Sequence, residues 1–163
     1  MSLLKVSKTE SAIEQTDIEC LEALINNQLP KDFKAFYLRN NGGVPNKDWW
    51  DSEDDYEPVR IKKFKAVASK DDPAAAETKF LGGCYALMTA KEVIPRTLLP
   101  FANDDGGNFF CLDLKKGNVC FFATDSFDSE CSPATNHANA YRWIANTFDS
   151  FIAGLKDESE IDV

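Results

Sequence analysis

Residues 29–45 read LPKDFKAFYLRNNGGVP and combine a helix start, an aromatic helix and a glycine stop. Pro30 suits the first turn of a helix, because the N–H that proline lacks has no partner there. Gly42 and Gly43 suit the exit, since glycine reaches positive φ without a steric penalty. Between them, three aromatic residues at helical spacing share one face that we expect in the core: Phe33, Phe36 and Tyr37.

A second helix is predicted just before this stretch. Thr16 and Glu19 have the spacing of a capping box, in which each side chain satisfies a backbone N–H at the helix start. The helix then runs from about Asp17 to Asn26, and Ser11-x-x-Glu14 offers an alternative, earlier start. Its apolar side comprises Ile18, Leu21, Leu24 and Ile25.

The second half of the chain predicts a sheet followed by a long helix. Residues 94–102, 108–114 and 119–124 are apolar runs separated by turn residues, a pattern typical of an antiparallel meander. The last two runs are apolar on both faces, so we expect central strands covered on both sides. A helix from about 136 to 155 has an apolar stripe, and Trp143 points away from it, where a neighbouring loop is expected to cover it.

These patterns predict an α+β fold: a predominantly antiparallel sheet with a packed N-terminal helix pair and a long C-terminal helix. With 163 residues, the chain is expected to form a single domain, 1–163. Its core spans about residues 13–155, and residues 156–163 form an acidic tail that we expect to be disordered.

The net charge of −9 repels nucleic acid and anionic membranes and attracts a basic partner. No segment approaches the roughly 20 apolar residues that span a bilayer. The first residues lack the pattern of a secretory signal, so we expect the protein in the cytoplasm.

The sequence contains no recognisable catalytic or metal-binding motif. The spacing of the five cysteines matches neither a zinc site nor a redox pair, and we expect them to be reduced and mostly buried. His137, the single histidine, has no evident catalytic partner. Asp104 and Asp105 leave a carboxylate-based hydrolase open, although Asn-Asp-Asp-Gly-Gly is first of all turn chemistry.

Residues 46–57 are strongly acidic and contain three large aromatic side chains. The carboxylate spacing resembles a calcium loop, but Tyr56 occupies the position of the required glycine and Lys62 that of the bidentate glutamate. Two interpretations remain: a solvated loop whose tryptophans pack back on the core, or a binding surface, since Trp and Tyr are favoured at protein interfaces.

The order of these motifs resembles the SUKH superfamily, which includes a yeast regulator of cell-wall synthesis and bacterial immunity proteins. The resemblance rests on LPKDF closing on NGGVP, on Ile94-Pro95 through Leu99-Pro100-Phe101-Ala102, on Asp104–Gly107 and on Cys111-Leu112-Asp113. Gly117-x-Val119-x-Phe121 and residues 145–152 (ANTFDSFI) complete it. Asn108 departs from the family pattern, in which an acidic residue commonly follows the glycine.

The resemblance implies an α+β immunity protein that binds a cognate toxin, often a nuclease, and neutralises it by occlusion. We therefore predict no enzymatic activity, no cofactor, no metal, no direct contact with nucleic acid or membrane, and a basic toxin as partner. The alternatives are a regulatory or scaffold domain of the yeast type and, less favoured, the hydrolase. The predicted partner-binding residues are Trp49, Trp50, Asp51, Glu53, Asp54, Asp55, Tyr56, Glu57, Asp104 and Asp105.

Overall fold

The structure, a computed structural model, describes residues 4–51 and 56–161. The helices of this part of the chain are α1 (Gln15–Ile25), α2 (Lys31–Arg39), α3 (Leu81–Ala90), α4 (Pro133–Ala140) and α5 (Phe148–Gly154). The strands are β1 (Val6–Ser7), β2 (Val44–Pro45), β3 (Trp49–Trp50), β4 (Val59–Arg60), β5 (Lys63–Phe64), β6 (Leu98–Asn103), β7 (Phe109–Asp113), β8 (Val119–Phe122) and β9 (Tyr141–Ala145). This mixture confirms the α+β class. None of the described helices is long and apolar enough to cross a membrane.

Helix α1 starts earlier than the preferred prediction and uses a different cap. The Glu14 N–H donates to Asp17 Oδ2 at 2.9 Å, so the box of Thr16 and Glu19 is wrong. Asp17 prevails because its other carboxylate oxygen accepts the distant Lys70 N–H at 2.8 Å, which anchors the helix start to a loop. Three of the four predicted apolar residues are buried, whereas Leu24 is exposed.

The sequence of residues 29–45 correctly predicts helix α2 and the glycine turn that follows it. Its three aromatic rings are buried, and Phe33 packs edge-on against Phe148 of α5, with ring centres 4.8 Å apart. The chain leaves through Gly42 and Gly43, with φ of 75° and 110°. A Cβ on Gly43 would collide with the Ser7 carbonyl, so this position needs both the freedom and the smallness of glycine.

The main sheet has five antiparallel strands in the order β5-β6-β7-β8-β9. Strands β7 and β8 are central and almost wholly buried, as predicted. One face carries Phe101, Phe110 and Phe121, which join the core that includes α2 and α5. The other face carries Cys111, Cys120 and Phe122 under Ile94 and Ala140. The sheet is therefore covered on both sides, except along its β9 edge.

The predicted C-terminal helix of residues 136–155 is wrong, because two short helices flank a strand there. Strand β9 pairs with β8 in the register Phe121↔Arg142 and Phe122↔Tyr141. Its Tyr-Arg-Trp-Ile alternation suits a half-buried strand, and pairing with β8 satisfies its backbone. Thr147 caps α5 by accepting the Ser150 N–H at 3.0 Å, which restarts the helix after the strand.

Two further segments differ from their sequence description. Leu81–Ala90, a segment with two glycines and no clear sequence pattern, forms helix α3. Residues 156–161, where the sequence predicts a disordered tail, include a bridge between Trp49 and Lys156 and a 3-10 turn at Glu158–Glu160. All five cysteines are free, and three of them are buried: Cys84, Cys111 and Cys120.

Candidate partner-binding surface

A small hairpin of β3 and β4 carries the acidic, aromatic loop. Trp49 pairs with Arg60 and Trp50 with Val59. On the other side, Trp49 exchanges two backbone hydrogen bonds with Lys156, of 3.0 and 2.8 Å. The hairpin base is thus held between its own second strand and the C-terminal segment, and residues 51–58 connect its two strands.

Trp50 is a core anchor of this hairpin. Its indole stacks on Phe151 of α5 with ring centres 5.3 Å apart. A Cβ on Gly154 would lie only 2.6 Å from Trp50 Cζ3, so glycine at this position makes room for the ring. The half-buried Trp50 side chain therefore packs back on the core, which is one of the two interpretations that the sequence left open.

Trp49, the other tryptophan of β3, is half-buried. The Arg60 guanidinium lies 5.5 Å from the centre of its ring, and Arg60 Nε donates to Asp48 Oδ2 at 2.8 Å. The Asp48 carboxylate is the main cause of a raised pKa of Arg60, followed by weaker attraction from Glu158 and Asp105. Arg60 at the hairpin base is therefore paired with Asp48 and lies within the electrostatic influence of two further carboxylates.

The two predicted aspartates of the 103–107 turn have different roles. Asp104 Oδ1 accepts the N–H groups of Gly106 and Asn108 at 2.9 and 2.8 Å, and its Oδ2 accepts the Asn108 amide at 3.0 Å. These bonds occupy Asp104 inside its own turn. Asp105 is exposed and lies 3.8 Å from Lys62 Nζ, so it faces solvent beside the hairpin.

At the tip of the hairpin, Asp51 is half-buried, and Tyr56 and Glu57 are exposed. The Tyr56 side chain is 62% exposed, a large fraction for an aromatic ring. The predicted residues Glu53, Asp54 and Asp55 lie outside the described residues. We use the name acidic surface for Asp51, Tyr56, Glu57, Asp105 and Glu158, which are at least partly exposed.

Arg142 holds the tip of the hairpin to the sheet, which the sequence analysis did not foresee. The residue is only 8% exposed on β9. Its guanidinium lies 4.6 Å from the centre of the Tyr56 ring, and Nη1 donates to the Glu57 carbonyl at 3.1 Å. The alternation of residues 141–145 was the available signal, because it indicates a strand with Arg142 facing inward and Trp143 outward.

Among the described residues, neither a metal site nor a pair of converging carboxylates is arranged for hydrolysis. In the described part of the chain, no group of three or more His, Cys, Asp or Glu side chains is arranged to hold a metal ion. Asp104 and Asp105 do not converge on one point, since the first is bonded within its turn and the second pairs with Lys62. His137 Nε2 lies 2.7 Å from the Glu92 carbonyl, which ties the imidazole to the backbone.

Comparison with known proteins identifies the family. The model of the SMI1 / KNR4 family (SUKH-1) matches residues 12–154. The chain belongs to this family. Its SUKH membership confirms the resemblance seen in the motifs, and the matched range includes α1, the hairpin, the whole five-stranded sheet and α5.

A relative of the SUKH-1 chain occurs in Bacillus subtilis (strain 168). It is the SPbeta prophage-derived uncharacterized protein YokK, which is 29% identical over 151 residues. The aligned part covers 85% of this chain and 72% of the relative. The similarity therefore extends over most of both proteins.

Proposed function

We propose that this SUKH-1 protein is a cytoplasmic immunity protein that binds a cognate toxin and neutralises it by occlusion. The observation that carries the proposal is the family match over residues 12–154, because SUKH domains include bacterial immunity proteins. The relative from Bacillus subtilis derives from the SPbeta prophage, so a similar chain is encoded by a mobile element of a bacterium, and this supports the proposal.

The acidic surface is the part of the molecule best suited to this role. Tyr56 offers a large exposed ring, and tyrosine is among the residues that dominate binding energy at protein interfaces. The neighbouring carboxylates and the net charge of −9 attract a basic protein, and such steering raises association rates by about 10- to 1000-fold. A toxin that acts on nucleic acid has a basic active site and fits this surface.

The proposal requires no reaction on the protein's own side chains. Occlusion needs a surface that is held in place, and the contacts of Trp50 with Phe151 and of Arg142 with Glu57, which tie the hairpin to α5 and β9, support this role. A regulatory or scaffold domain of the yeast type would use the same fold without a toxin. The two functions differ in one respect that can be measured, namely whether a toxin encoded beside this protein binds it.

The association rate with that toxin tests the role of the acidic surface. The test variant carries Asp51→Asn, Glu57→Gln, Asp105→Asn and Glu158→Gln. At low salt it should associate about tenfold more slowly than the wild type, and the difference should shrink as salt screens the charges. The matched control removes four exposed carboxylates elsewhere: Glu19→Gln, Asp71→Asn, Glu77→Gln and Glu130→Gln.

The control variant has the same net charge as the test variant and differs only in where the charges were removed. Equal slowing of both would show that net charge alone drives association, and the acidic surface would then not be the interface. Failure of the wild type itself to bind the toxin would reject the immunity function and favour a regulatory or scaffold role.

A further inference from the structure

Strand β9 is the last strand of the five-stranded sheet, and part of its outer edge is open. The Ala123 N–H donates to the Ala140 carbonyl at 3.0 Å, which sets the phase of the pairing between β8 and β9. In an antiparallel pair, the backbone N–H and C=O groups of successive residues point alternately toward the neighbouring strand and away from it. Tyr141 and Trp143 therefore direct their backbone N–H and C=O groups away from β8.

Within the described residues, the Trp143 backbone groups have no partner on this outer side. The Trp143 side chain is 47% exposed, and its indole N–H donates to Asn146 Oδ1 at 3.1 Å. That bond fixes the orientation of the ring beside the open edge. Free backbone groups next to an ordered, exposed tryptophan are the elements with which a sheet edge binds an added strand.

The charges around β9 indicate the chemistry of such a strand. Two carboxylates, those of Glu57 and Asp149, belong to segments that contact β9. The Glu57 backbone is bonded to Arg142, and the Asp149 N–H, in the first turn of α5, donates to Asp32 Oδ2 at 3.0 Å. At the other end of β9, Lys116 Nζ lies 6.0 Å from the centre of the Tyr141 ring. Basic side chains therefore fit the Trp143 end, and neutral or acidic ones fit the Tyr141 end.

We propose that β9 is a docking edge on which an extended, basic segment of the toxin adds a sixth strand to the sheet. The added strand exchanges backbone hydrogen bonds with Tyr141 and Trp143, packs an apolar side chain against the Trp143 indole, and places its cations near Glu57 and Asp149. This inference rests on the proposed function, because it takes the toxin as the partner.

A synthetic peptide tests the edge without the toxin. The probe is a capped octapeptide of alternating lysine and valine, titrated into ¹⁵N-labelled protein and followed by NMR. The backbone amides of Tyr141 and Trp143 and the Trp143 indole should shift and saturate. A peptide N-methylated at alternate valines keeps the charge but loses ladder hydrogen bonds, so it should bind about tenfold more weakly. A glutamate–valine peptide of equal length should not bind.

Three results would overturn the inference. The first is that the lysine–valine peptide leaves the Tyr141 and Trp143 amides unshifted at millimolar concentration. The second is that the N-methylated peptide binds as tightly as its parent, which would make the attraction one of charge alone. The third is that the same amides shift as the protein itself is concentrated, which would assign the edge to a second copy of the chain.

Two substitutions of Trp143 test whether the toxin binds at the β9 edge. Trp143→Pro removes the outward N–H, and proline is tolerated at an edge strand when the lost N–H faces solvent. Trp143→Thr removes the ring but keeps the N–H and a strand-favouring side chain. Toxin affinity should fall about tenfold more for the proline variant than for the threonine variant, with thermal unfolding used to confirm that both fold.

The outcomes separate the two proposals. If the proline variant binds the toxin as tightly as the wild type, the docking edge is wrong and the immunity function stands. If the wild type does not bind the toxin, the immunity function is wrong, and the peptide titration still decides whether β9 is a docking edge for basic segments.

Discussion

Arg142→Met removes the contact that fastens the acidic hairpin to the sheet. The guanidinium donates to the Glu57 carbonyl at 3.1 Å and lies 4.6 Å from the Tyr56 ring centre, and the residue is 8% exposed. A hydrogen bond from a charged donor contributes about 1.5–3 kcal/mol, and a cation–π contact with an exposed ring about 0.5–1 kcal/mol. Methionine keeps much of the aliphatic packing, so packing loss adds little.

Two effects reduce the sum of these contributions. Replacing a buried arginine removes the cost of desolvating its charge, and the freed Glu57 carbonyl can bind water because the residue is exposed. We therefore expect the free energy of unfolding to fall by about 2 kcal/mol in urea titrations. The Tyr56–Glu57 segment should also exchange its amide hydrogens faster, because its link to β9 is lost.

Arg96→Met is the matched control, since Arg96 is exposed and lies outside the hairpin. Its free energy of unfolding should stay within about 0.5 kcal/mol of the wild type, as for most surface substitutions. The anchoring role of Arg142 would be refuted if both variants lost the same stability, or if hydrogen exchange at Tyr56 and Glu57 were unchanged in Arg142→Met.

Three further substitutions test a turn, a packing contact and a helix cap of the fold. Asp104→Asn replaces the acceptor that faces the Asn108 amide with a second donor and should cost about 1–2 kcal/mol in urea unfolding; unchanged stability would contradict the turn role. Gly154→Ala should cost about 1–3 kcal/mol by pushing against Trp50, measured as a lower unfolding midpoint, and a gain would contradict the packing. In the folded state, the backbone N–H groups of Glu14 and, to a lesser extent, Lys70 donate to the Asp17 carboxylate and lower its pKa. The ionised Asp17 therefore stabilises the fold at pH values above the ordinary carboxyl pKa, and this stability is lost as the pH falls through the lower pKa of the folded state. In Asp17→Asn, the free energy of unfolding should consequently depend less on pH in the acid range.

The N-terminal helix pair and the central strands could be predicted from the sequence because local and tertiary preferences agree there. In α2, the proline start, the aromatic face and the glycine exit all favour one structure, and Phe33, Phe36 and Tyr37 are buried as expected. The strands β7 and β8 are apolar on both faces, which already indicates central strands. The order of the motifs along the sequence also indicates the SUKH family.

The C-terminal region could not be predicted because its residues satisfy two periodicities. Ile144, Phe148 and Leu155 are buried, as a helical stripe would require, but strand pairing of Tyr141–Ala145 with β8 provides the burial instead. A five-residue strand between helices depends on a sheet formed by distant residues. Local sequence does not contain that information.

The candidate surface was only partly predictable for the same reason. Tyr56, Glu57 and Asp105 are exposed, whereas Trp50 packs against the core and the Asp104 carboxylate is bonded within its own turn. Arg142 on β9 bonds to Glu57, which lies 85 residues away along the chain. Such a link appears only when the sheet is assembled.

The inhibition of the toxin by the purified protein tests the central claim most directly. The protein to assay is the product of the gene adjacent to that of this chain, and its toxic activity is measured while the purified immunity candidate is titrated into it. The account predicts that activity falls to the background at a stoichiometric ratio, with a stable complex in size-exclusion chromatography. Full toxin activity in the presence of excess protein, with no complex, would contradict it.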